Sequence, residues 1–172
     1  MNIAEFFQQS AGRWSSIKSN HHVDTTQQQS GRSTIEMELL DANNPAVAEL
    51  CSKQGLNVSG VAAAAQVKWD GTMEGITKKD SGSSLLVAIG TPEQGQLLRT
   101  IGNFGTAAPS GTYRFGDGGE FMLTVEDKDF VTSERIWFES ENVRMRHTKV
   151  QYPNGKSIVS FCSEVRLMTS KS

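Results

Sequence analysis

The chain has 172 residues, with 17 lysines and arginines against 19 aspartates and glutamates and a formal charge of −2. That length suits one domain, residues 1–172, with a core of its own, and the charge balance makes no case for nucleic acid or an anionic membrane as partner. Cys51 and Cys162 stand far apart with no CxxC or His-rich company, so free thiols are expected rather than a disulfide framework or a metal site.

The first predicted element is a short helix from Asn2 to Ser10. Ile3, Phe6 and Phe7 recur at i, i+3 and i+4, and Gly12 supplies a stop. Its first residues lack the basic and apolar regions of a signal peptide, and no apolar run nears the ~20 residues that cross a bilayer. A cytoplasmic protein is the expectation.

Thr25 to Ser33 reads as a polar loop. Ile35, Met37 and Leu39 alternate with Glu36 and Glu38, the pattern of a half-buried strand. A second helix is predicted from Pro45 to Ser52, with Asn44 as its N-cap and Pro45 at the first helical position, where a missing N–H costs nothing. Further strands follow at Val61 to Trp69, Leu85 to Ile89, Leu97 to Gly102, Gly111 to Phe115 and Phe121 to Val125. The last three are Val131 to Phe138, Val143 to Tyr152 and Ser157 to Met168, the final pair joined at Asn154-Gly155 by a predicted type I′ turn. Many short strands, close turns and few helices imply a single all-β antiparallel sandwich or barrel.

Four constellations hold the candidate chemistry. Glu134-Arg135-Ile136-Trp137-Phe138 precedes Asn142-Val143-Arg144-Met145-Arg146. Strand alternation puts Arg144 and Arg146 on one face, roughly 7 Å apart, a spacing suited to two separate carboxylates of a ligand. That face is either the inside or the outside of the sheet, and Glu134 either accepts from ligand N–H groups or pairs with one of the arginines. Ser19-Asn20-His21-His22 supplies a proton donor near neutral pH, or two structural histidines, with Lys18 as a neighbouring cation. Trp69 serves as core or as a stacking surface for a planar ligand. The alanines before it, Ala62 to Ala65, leave room for a pocket or a close-packed helix. Cys162, in Ser160 to Arg166, has no neighbour to lower its pKa, and no GxSxG, P-loop or Ser/His/Asp pattern occurs. These residues by themselves imply a small barrel that holds a planar dicarboxylate.

In order along the chain, Phe6-Phe7, Ser10-Ala11-Gly12-Arg13-Trp14, Ser19-Asn20-His21-His22 and Val67-Lys68-Trp69-Asp70-Gly71-Thr72-Met73 precede the two arginine segments and Ser160-Phe161-Cys162-Ser163-Glu164. With this set the chain resembles the CpcS/CpeS family of phycobiliprotein bilin lyases over essentially its whole length. The resemblance implies a lipocalin-like (calycin) antiparallel β-barrel of about ten strands with a short N-terminal helix. It implies that an open-chain tetrapyrrole, phycocyanobilin or a related phycobilin, is bound as substrate, with no prosthetic group. The bilin would be attached by a thioether bond to a cysteine of a phycobiliprotein subunit: phycocyanin β, allophycocyanin or phycoerythrin. Arg144 and Arg146 would then clamp its two propionates and Glu134 would meet its pyrrole N–H groups. Trp69 and Trp137 would pack on the conjugated plane, with Lys18 nearby and His21 or His22 as proton donor. One departure is that the family often carries arginine where Lys18 stands, which keeps the charge but loses the planar fork. The alternatives are a non-catalytic bilin carrier or a subunit of a heterodimeric lyase, and a homodimer or a heterodimer with a paralogue is compatible with either.

Overall fold

The computed structural model describes residues 1–25, 27–75, 77, 79–101 and 106–168. Helix α1 (Ile3–Ser10) starts at Asn2, whose side chain accepts from the Glu5 N–H at 2.9 Å while the Glu5 carboxylate accepts from the Asn2 N–H at 3.1 Å. This reciprocal cap fixes the first turn. There follow β1 (Gly12–His22), β2 (Gln28–Leu40), α2 (Pro45–Lys53), β3 (Val61–Met73), β4 (Asp80–Gly90) and β5 (Gln94–Ile101). A two-residue β6 (Thr106–Ala107) leads to β7 (Gly111–Phe115), β8 (Phe121–Glu126), β9 (Val131–Ser140), β10 (Val143–Gln151) and β11 (Ser157–Arg166).

Apart from β6, which flanks β5, the strands close into one antiparallel ring of ten in the order β1-β2-β3-β4-β5-β7-β8-β9-β10-β11, with β11 pairing back onto β1. The expected ten-stranded barrel with an N-terminal helix is therefore the architecture found.

Alternation sorts each strand into inward and outward residues, and two apolar clusters occupy the two sides of the wall. Inside, α1 fills one end of the barrel. Phe6 stacks on Phe121 at 4.5 Å and meets Phe115 and Phe138 edge-on at 6.1 and 5.9 Å, with Ile3, Phe7, Met37 and Ala65 around them. Outside, Val47, Leu50 and Cys51 of α2 pack on Ala64, Leu85, Val87 and Leu98 of β3, β4 and β5. The alanines of β3 thus make room for a helix on each side. Each fully buried Phe or Leu in these clusters contributes about 1.5–3 kcal/mol.

Three expectations are corrected. The polar stretch Thr25 to Ser33 is not all loop, because β2 begins at Gln28 and pairs with β1 on one side and, from Gly31, with β3 on the other. Its polar side chains conceal a backbone that is paired along its whole length on at least one side. Strand β4 likewise begins at Asp80 rather than Leu85; its Gly82 lies under Trp69, where a Cβ would come within 2.6 Å of the indole ring. At the last hairpin, Tyr152 N–H donates to Lys156 and Gly155 N–H to Tyr152, with Gly155 at φ 83°. The connection is thus three residues, Pro153-Asn154-Gly155, with the left-handed position at the glycine. The predicted strand end at Gly102 lies outside the described residues. Both helices match their predicted spans within one residue at each end.

Candidate functional site

The register places four inward-facing rows of β9, β10, β11 and β1 side by side. Arg144 lies opposite Phe138 and Glu164, Arg146 opposite Ile136 and Cys162, and Thr148 opposite Glu134 and Ser160. Across β1, Glu164 faces Ser16, Cys162 faces Lys18, Ser160 faces Asn20 and Ile158 faces His22. The arginine pair therefore belongs to the lumen.

The guanidinium groups are not free, however. Arg144 Nε donates to Glu164 Oε1 at 2.9 Å, and Arg146 Nε lies 3.5 Å from the same oxygen. Arg146 Nη1 also donates to Glu134 Oε1 at 3.2 Å, and Thr148 Oγ1 donates to Glu134 Oε2 at 3.2 Å. Two cations and two carboxylates thus form a charge-balanced network across three strands. Among the described residues Glu164 Oε2 has no donor although it is buried.

Burial divides the two arginines. Arg144 is 3% exposed, and its guanidinium lies 4.9 Å from the ring centroid of Trp14. Arg166 sits 4.3 Å from the same ring and donates to the carbonyls of Gln9 and Ala11 at 2.6 Å each, while Trp14 Nε1 donates to the Ser10 carbonyl at 2.9 Å. Arg144 therefore ties the network to the end of α1 and is sealed there. The Arg146 side chain is 25% exposed and that of Glu134 18%, so these two border the open part of the lumen.

Charge states follow from the packing. Burial raises the pKa of the Glu164 carboxyl, but Arg146 and Arg144 outweigh it and hold the group below its usual value. Burial also works against the Arg146 cation, yet Glu164 and Glu134 overcome it and raise its pKa. For Arg144 burial wins and lowers the pKa, Glu164 opposing and the charge of Arg146 assisting. The Cys162 thiol is pushed up by burial despite the nearby Arg146. Few thiolates form at neutral pH in such surroundings, which argues against a nucleophile there.

The other sequence candidates separate by face. Lys18 and His22 share the inward parity of β1 with Asn20, whose Oδ1 accepts from Ser160 Oγ at 2.6 Å. Trp69 faces inward on β3, five strands from β9 in a ring of ten, so it occupies the wall opposite Glu134. Its Nε1 donates to Asp80 at 3.3 Å. His21 and Trp137 point outward instead. His21 Nε2 lies 3.3 Å from Ser19 Oγ, and Trp137 packs on Phe161 at 6.3 Å, lies under Arg135 and donates to Glu139 at 2.7 Å. Each is one residue out of phase with its inward neighbours, so neither borders a ligand in the lumen.

Sequence reasoning gave Glu164, Trp14, Arg166 and Thr148 no role at the site. Glu164 carried one usable signal: it has the parity of Cys162, and two inward arginines require compensating carboxylates.

The CpeS-like protein family model matches residues 2–167. A relative named chromophore lyase CpcS/CpeS, from Thermosynechococcus vestitus, is 40% identical over 97% of this chain and 93% of its own. Another, named phycocyanobilin lyase subunit CpcS, from Picosynechococcus sp., is 32% identical over 96% of this chain and 86% of its own. Among solved structures, an S-type phycobiliprotein lyase from Guillardia theta matches with a TM-score of 0.88 at 24% identity, over 99% of this chain and 95% of that one. This last likeness shows the shared fold.

Proposed function

Since the chain belongs to the CpeS-like family, we propose that it is a phycobiliprotein bilin lyase that holds an open-chain tetrapyrrole in its lumen. The observation that supports this most is the Arg146–Glu134 pair at the border of the open lumen, with Trp69 on the facing wall. A bilin offers two propionates, a row of pyrrole N–H groups and a flat conjugated surface, and these residues complement all three.

The two-arginine clamp is revised in this reading. Arg144 is committed to Glu164 and Trp14, so Arg146 takes one propionate. Lys18, two strands from Arg146 on the same level, takes the other. Two strand spacings separate them by roughly 10 Å. Glu134 accepts from pyrrole N–H groups, and His22 is the better-placed of the two histidines to move a proton.

In the attachment step the acceptor thiolate sulfur bonds to the ethylidene carbon of ring A, and the π electrons of that double bond pick up a proton on the chromophore. The bond made is a thioether and nothing is oxidised or reduced. The lyase contributes orientation, holding one extended bilin conformation until the acceptor cysteine arrives.

The test is reconstitution with phycocyanobilin and an apo-phycocyanin β subunit, repeated with allophycocyanin and phycoerythrin subunits. A chromophore that survives denaturation and fluoresces with zinc is the expected result, whereas bilin lost on denaturation identifies a carrier. Arg146→Ala is expected to weaken bilin binding by about 10- to 100-fold while the protein stays folded, in line with loss of a charge-assisted bidentate contact. Arg144→Ala is expected to cost about 3–5 kcal/mol of stability, because it strands a buried carboxylate. Equal bilin affinity in the parent and Arg146→Ala sinks the assignment.

A further inference from the structure

On the outer side of the wall that holds Glu134 lies a concavity of about 810 Å³, framed by β5, β7, β8, β9 and β10. Antiparallel register brings Arg114, Met122, Arg135 and His147 into one outward row, with Lys149 in the next. Arg114 and Arg135 are exposed, and His147 and Lys149 are half-buried. The remaining outward lining is largely neutral and polar. Among the described residues Glu134 is the one acid that borders the concavity, and its carboxylate is turned to the lumen, bonded to Arg146 and Thr148.

None of Arg114, Arg135 and Lys149 has a carboxylate within ion-pair distance among the described residues. A chain with more acids than bases has thus collected unpaired cations on one wall. Unpaired charge at that density attracts an anionic surface and steers its approach. Arginine and methionine side by side are also typical of protein–protein interfaces. Over the whole molecule the net negative charge opposes a long polyanion, so a folded partner with a local acidic face fits better than nucleic acid.

We propose that this outer cationic groove is the docking surface for an acidic face of the acceptor subunit. The proposal rests on the lyase reading, which requires a second protein to bring its cysteine to the bilin. Position agrees with that demand. Lys149 stands two residues, roughly 7 Å, from the end of β10 at the rim away from α1. A partner seated in the groove therefore reaches over that rim to the lumen without displacing the helix.

The test measures binding of a labelled apo-phycocyanin β subunit directly, separately from attachment. The variants are Arg114→Glu/Arg135→Glu/Lys149→Glu, its milder form with glutamine at the same positions, and Lys68→Glu, an exposed lysine on β3 across the ring. Parent binding is expected to weaken steeply between about 50 and about 500 mM salt. The triple reversal is expected to weaken it about tenfold or more at the lower salt and to flatten that dependence. The glutamine form should fall between, Lys68→Glu should match the parent, and phycocyanobilin binding should be unchanged in all of them. Equal acceptor affinity in parent and triple variant overturns the proposal, as does absence of binding in the parent or an equal loss in Lys68→Glu. So does a groove that retains a short labelled single-stranded DNA, loses it on reversal, and leaves acceptor affinity untouched. A parent that binds the subunit but attaches no bilin fails the lyase reading and leaves the docking result standing.

Discussion

Arg144 and Arg146 stand one pleat apart on β10, yet their surroundings give them different work. Arg144 is enclosed by Trp14 and Glu164, while Arg146 spans Glu164 and Glu134 at the border of the lumen. Glu164 is the hinge of this arrangement, since both cations converge on its Oε1. Its carboxyl is held below its usual value, so the sign of its pH effect is fixed. The stability it contributes is complete above the ordinary unfolded value near 4.3 and is lost as pH falls through the lowered folded one. Glu164→Gln is expected to cost about 3–5 kcal/mol near neutral pH. Urea unfolding of parent and variant across the acid range should show that difference constant above about pH 5.5 and shrinking below about pH 4. A difference independent of pH would mean that Glu164 is not held as a carboxylate.

At the scale of the element, α1 is a plug whose worth comes from packing. Eight residues are too few to hold a helix in water, so the cap at Asn2 and the aromatic contacts of Phe6 must supply its stability. Phe6→Ala is expected to destabilise the protein by about 3–5 kcal/mol, the usual cost of a truncated core aromatic. It should also weaken bilin binding, because Arg166 and Trp14 connect the end of α1 to the Arg144–Glu164 pair. Denaturation curves with and without phycocyanobilin measure both effects; a loss below about 1 kcal/mol would show that the plug is dispensable. The amphipathic spacing of Ile3, Phe6 and Phe7 announces this helix in the sequence. What it packs against is another matter, for Phe115, Phe121 and Phe138 come from strands more than a hundred residues downstream.

For the whole molecule, the closed ring separates two thiols that the sequence leaves equivalent. Cys51 is buried outside the wall on the packed face of α2, and Cys162 is buried inside it beside Arg146. Both should react slowly with a thiol reagent in the native protein. Removing residues 1–10 opens the end that α1 fills and is expected to speed Cys162 while Cys51 stays slow, as rates followed on the single Cys51→Ala and Cys162→Ala backgrounds will show. Equal acceleration of the two would indicate general unfolding instead of an opened lumen.

Most of the elements were legible from local pattern, since two-residue alternation marks a strand with one wet face and i, i+3, i+4 spacing marks a helix. The polar starts of β2 and β4 were not, because their strand character comes from pairing with a neighbouring strand and not from their own side chains. Alternation likewise determined that Arg144, Arg146, Thr148 and Val150 share a face of one strand, and that Trp137 is out of phase with Glu134. Only the closure of the ring decided that the arginine face is the lumen, that His21 and Trp137 lie outside it, and that Glu164 stands between the two guanidinium groups. The reason is physical: strand parity is a local property of the backbone, whereas inside and outside exist only once β11 has paired with β1.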